Sequence, residues 1–161
     1  TLFFEVPARV ARKIVTDSDD EIPGIDPEIL ARAEQAVAAL GGDFVDQTKV
    51  TLDAHRAQLE AMTELPQGDM LRDVFSFAHD LRGQGGSFGY PLLSSIGGSL
   101  CAFLEARDFR LTEGDAVVLR SHFDAAAAIL ADEIGGEGDA ISQALVNSLT
   151  ELVDKRLRDT A

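Results

Sequence analysis

Apolar residues recur at intervals of three and four along nearly the whole chain, and no stretch sustains the two-residue alternation of a half-buried strand. That periodicity leaves room for little besides helices packed on helices, so the expected fold class is all-α. Proline and glycine divide the pattern. Asp26 followed by Pro27 is the N-cap and first-turn signature of a helix expected to reach about Leu40, where Gly41 and Gly42 stop it. A second helix is expected from near Asp43 on a stripe of Phe44, Thr48, Leu52, His55, Leu59 and Met62, before a turn at Pro66 and Gly68. A third starts around Asp69. A fourth follows Gly89, with Pro91 in its first turn and Leu93, Ile96, Leu100, Phe103 and Leu104 along it. Thr112 and Glu113 open a fifth, carried on Val117, Leu119, Phe123, Ala126, Ala127, Leu130 and Ile134 to a stop at Gly135 and Gly136. The last runs from about Gly138 to Arg158. Short connections favour antiparallel neighbours, which predicts an antiparallel up-and-down four-helix bundle with an additional N-terminal helix or arm.

With 161 residues, 45% of them hydrophobic, the chain suits one domain and a short extension. Residues 1–25 read as an N-terminal arm or linker and residues 26–161 as the helical domain. Within the arm, Leu2, Phe3, Phe4 and Val6 suit an extended segment, and Ala8 to Val15 a short amphipathic helix covering apolar surface on the bundle or on a second subunit. A loosely attached tail is an equal reading.

No apolar run approaches the roughly 18 residues of a membrane span, and the first residues lack the apolar stretch of a secretory signal. The lone Cys101 has no partner for a disulfide or a zinc site. These features suggest a cytoplasmic monomer in which the thiol packs. The net charge of −14 repels nucleic-acid backbones and anionic membranes, so neither is an expected partner.

Placing the residues around His79 at about 100° of rotation each gathers Met70, Val74, Phe77, Leu81 and Phe88 on one buried face. His79 falls opposite, sharing its face with Arg72, Phe75, Ser76, Arg82, Gly83 and Gly86. Gly83, Gly85 and Gly86 lie where the helix would continue towards Phe88, each costing about 1 kcal/mol relative to alanine in a helix interior. Gly83 and Gly86 would leave a bare strip beside the imidazole; the rival reading is that the glycines merely end the helix. His55, in the apolar stripe of its own helix, reads as a packed residue, and His122 lacks a glycine or basic residue at the offsets His79 has. Asp80 should point about 100° away from His79, no His, Asp and Glu cluster has metal-ligand spacing, and the glycines do not follow a strand as a dinucleotide-binding loop requires.

The stretch Ala78-His79-Asp80-Leu81-Arg82-Gly83, then Gly89, Leu93, Leu100, Leu104 and Glu105, resembles the signature of histidine phosphotransfer domains. There the active histidine is followed by a hydrophobic residue two positions on, a basic residue at three and a glycine at four. A second glycine at ten opens the next helix, which ends in Leu-Glu. Arg82 stands where lysine is commoner. Gln84, Gly85 and Gly86 replace a small polar or alanine-rich run, and Gly97 and Gly98 are expected to loosen the following helix. The resemblance runs from about Asp43 to the C-terminus and leaves out the N-terminal quarter.

The resemblance implies a phosphorelay intermediate without its own ATP site. His79 would accept a phosphoryl group from a phospho-aspartate of a response-regulator receiver, or from a sensor histidine kinase, and pass it to another receiver. Histidine suits the role because its ordinary pKa, about 6.5, leaves a nucleophilic neutral fraction near neutral pH. Arg82 would hold phosphate oxygens and Gly83 would give access to the ring. Arg72, Phe75, Ser76, Gln84 and Gly86 would meet the partner, Phe75 with Leu71 at its margin as an apolar docking patch. No cofactor or metal of its own is expected, Mg²⁺ coming with the receiver. Two alternatives remain: a helical module that binds or sequesters receivers without carrying phosphate, and the phosphoacceptor part of a larger kinase.

Overall fold

The computed structural model describes residues 26–159, and these are all-helical, with no strand among them. Five helices follow one another: α1 (Pro27–Ala61), α2 (Asp69–Gln84), α3 (Pro91–Ala106), α4 (Ala116–Ala131) and α5 (Ala140–Arg158), with a 3-10 turn (Glu113–Asp115) leading into α4. The expectations for residues 1–25 lie outside the described residues. None of the described helices is long and apolar enough to cross a membrane.

By close contacts the chain divides into two units, Thr1–Ala38 and Ala39–Ala161. The described part of the first is the opening of α1. Its N-cap is the expected one, since the Asp26 carboxylate accepts the Glu28 N–H at 2.9 Å and its carbonyl accepts from Ile29 and Leu30.

The helix does not stop at Gly41 and Gly42, contrary to the sequence expectation; it runs unbroken to Ala61. Each glycine costs about 1 kcal/mol against alanine, but neither blocks the ladder as proline would, and good helix formers, Ala38, Ala39 and Leu40, precede both. Once the helix is nucleated, adding residues is cheap, so two weak positions do not end it.

In the second unit α3 is the hub, packing on α2, α4 and α5, while α4 also packs on α5. Its sequence is apolar on nearly every side, and Leu92, Leu93, Ile96, Leu100, Cys101, Phe103 and Leu104 are all buried. The expected α1 stripe is buried at Phe44, Thr48, Leu52, His55 and Leu59. Through it α1 meets α2, the turn that follows α2, and α4: Phe44 stacks on Phe88 of that turn at 4.8 Å, and the His55 ring lies 5.3 Å from Phe77 and 5.9 Å from Phe123.

Two further expectations need correction. Val117 is exposed and Val118 takes the core position, because at about 100° per residue Val118 shares the face of Leu119, His122 and Phe123 whereas Val117 falls on the opposite side. That helix ends at Ala131 rather than at the glycine pair; Glu133 already has a left-handed φ of 50°. Asp139 caps α5, accepting the backbone N–H and the hydroxyl of Ser142 at 2.8 and 2.7 Å.

Between α3 and α5 lies a buried ionic clamp. Asp115, fully enclosed, accepts from Arg107 at 2.9 Å, from Arg156 Nε at 2.8 Å, and from the Thr112 N–H and hydroxyl at 2.8 and 2.9 Å. Burial alone would raise the Asp115 pKa, but the donors from Thr112 and Arg156 and the charge of Arg107 outweigh it, and the net shift is downwards. Gly114 leaves room for the clamp: a Cβ would fall 2.2 Å from the Arg156 guanidinium, which would have to shift.

Candidate functional site

α2 carries His79 on the face turned away from the core. Met70, Leu71, Val74, Phe77, Ala78 and Leu81 are buried along the opposite side, which fixes the rotation of the helix. The His79 side chain is 56% exposed, and among the described residues neither ring nitrogen has a hydrogen bond. Asp80 does not point clear of it, as helical phase alone suggested. Its Oδ1 lies 4.0 Å from His79 Nδ1, beyond hydrogen-bond range.

Arg82 follows one turn later, exposed, and forms no ion pair among the described residues. Its aliphatic stem lies across Gly98 of α3, whose Cβ would sit 3.7 Å from Arg82 Cδ. Arg72, further back, is paired with Asp69. Ser76, Gln84 and Gly86 are exposed. Phe75 is half-buried, edge-on to Phe109 at 5.3 Å, with its ring 6.4 Å from that of His79. Leu71 is completely buried and lines no surface patch, because it packs inward beside Met70.

The glycines separate into two kinds. At Gly83 a Cβ would meet nothing within 4 Å, so no packing requirement explains its place beside the imidazole. At Gly85 a Cβ would fall 2.9 Å from Leu81 O and from Ser94 N, so close packing of α3 requires the glycine. α2 ends at Gln84 and does not continue towards Phe88. The Ser94 hydroxyl fastens that end, accepting the Gly86 N–H at 2.8 Å and donating to Leu81 O at 3.3 Å.

Gly97 does not loosen α3 but lets it approach α2. A Cβ there would lie 2.4 Å from Ala78 O and 2.7 Å from Arg82 N, the turn that bears His79. Ser94 and Gly97 were invisible as positioning residues in the sequence; the only hint was a glycine retained in a helix interior.

The other two histidines are packed in the interior. His122 is fully buried, its Nδ1 donating to Val118 O at 2.7 Å and its Nε2 accepting from the Ser99 hydroxyl at 2.9 Å, and burial lowers its pKa. His55 is likewise lowered by burial, with Asp73 opposing. Burial also raises the Cys101 thiol, which fits a packed side chain. No group of three or more His, Cys, Asp or Glu side chains among the described residues could hold a metal ion. No family model, curated protein or solved structure matches the chain.

Proposed function

We propose that the chain is a histidine phosphotransfer domain of a two-component phosphorelay, with His79 as phosphoacceptor. The supporting observation is an exposed imidazole free of hydrogen bonds, one turn from an unpaired arginine and beside a glycine that packing does not require. The finer architecture belongs to the same proposal: α2 to α5 form an antiparallel up-and-down four-helix bundle, with the Phe44–Leu59 part of α1 packed across one side.

In the transfer, the Nε2 lone pair attacks the phosphorus of an aspartyl phosphate on a receiver. The N–P bond forms as the P–O bond breaks, and the aspartate leaves with the bonding pair as a carboxylate. Nδ1 keeps its proton, so the ring becomes cationic, and the Asp80 carboxylate 4.0 Å from Nδ1 offsets that charge. Arg82 holds the equatorial oxygens from the other side. Mg²⁺ belongs to the receiver, and the reverse reaction delivers the phosphoryl group to a second receiver.

The test is incubation of the purified chain with a panel of phosphorylated receivers. Acid-labile label is expected on wild type and none on His79→Gln, with Arg82→Ala slowed about tenfold, the worth of one charge-assisted contact. Binding of receivers without label transfer would replace this reading with a module that sequesters them.

A further inference from the structure

A cleft of about 460 Å³ runs between α1 and α2, one flank round from His79. It is within the size range of small-molecule sites, and its outline is elongated, following α1 from Leu40 to His55. Three carboxylates line it, Asp43 from α1 and Asp73 and Asp80 from α2, and neither lysine nor arginine does. Phe44, Phe77 and Phe88 supply aromatic surface between them. At the inner wall stands His55, 9% exposed, whose buried Nδ1 has no hydrogen-bond partner. Burial keeps this ring neutral, so a nitrogen lone pair is available as an acceptor.

We propose that this cleft binds a linear aliphatic polyamine. The charge pattern selects a cation and excludes anions. Asp73 and Asp80, seven residues apart on one helix, are spaced by about 10 Å along its axis, the separation of the terminal ammoniums in an extended triamine with three- and four-carbon spacers. Methylene segments between the charges lie on the phenylalanine rings, which also attract ammonium groups through their faces. An ammonium N–H reaching the inner wall supplies the partner His55 Nδ1 lacks. The site uses no atom of the His79 imidazole but shares Asp80 with the phosphotransfer reading, so binding is measured with no receiver present and fails or succeeds separately from label transfer.

Calorimetric titration of the full chain with spermidine, at about 0.15 M salt to screen diffuse attraction, tests it. Saturable binding at one site is expected, weakened about tenfold in Asp73→Asn/Asp80→Asn, as loss of two partly exposed ion pairs implies. The control Asp132→Asn/Asp154→Asn carries the same charge change away from the cleft and should bind as wild type does. 1,3-Diaminopropane, too short to span Asp73 and Asp80, should bind more weakly. Equal weakening in both double variants would mean general attraction to a −14 chain and would overturn the site, as would absence of saturable binding or parity of the diamine with spermidine.

Discussion

At the scale of single residues, the glycines near His79 do different work, and substitution separates them. Gly97→Ala pushes a methyl into Ala78 O and Arg82 N, and overpacking of this kind costs about 1–3 kcal/mol. Gly83→Ala meets open space inside a helix and should raise stability by up to about 1 kcal/mol. Under the phosphotransfer proposal the added methyl also crowds the imidazole and slows label transfer. Urea melts of both variants check the first pair of expectations, and equal stability changes would contradict them. His79 itself was legible in the sequence, because its exposure follows from the phase of Val74, Phe77 and Leu81 alone. The proximity of Asp80 was not, since adjacent residues diverge by about 100° at Cβ and only the side-chain rotamers bring them together.

At the scale of helices, the apolar periodicity revealed where each buried stripe lies but not where every helix ends. The stripe from Phe44 to Leu59 was readable from spacing; the continuity of α1 through Gly41 and Gly42 was not, because a glycine pair is a stop only when the helix on either side is weak. Gly42→Ala tests this directly. In an unbroken helix it should raise stability by about 1 kcal/mol, since the new methyl meets nothing within 4 Å, whereas a turn at that point would make alanine neutral or harmful. The clamp joining α3, the 3-10 turn and α5 was also hidden, because Arg107, Asp115 and Arg156 are brought together only by tertiary packing. Asp115→Asn leaves two guanidinium groups facing a neutral amide in a buried site. A loss of about 3–5 kcal/mol, read from chemical denaturation, is expected from breaking such a group.

For the molecule as a whole, buried titratable groups set the pH range of stability. The folded-state pKa of His122 lies below its ordinary 6.5, so the unfolded chain binds the proton more readily. Stability should therefore fall as pH drops below 6.5. Asp115 is shifted below its ordinary 3.8, so the stability it contributes is present above that value and is lost as pH falls through its lower folded value. Thermal melts across pH 7 to 3 should show two successive declines, and replacing both His55 and His122 with Gln should remove most of the first. The phosphotransfer account itself rests on which atom receives the phosphoryl group. Phosphorus NMR of the chain after reaction with a phosphorylated receiver reads that atom. A phosphoramidate signal of the Nε2 isomer, absent in His79→Gln, is the predicted result; phosphate on another residue, or persistence of the signal without His79, would contradict it.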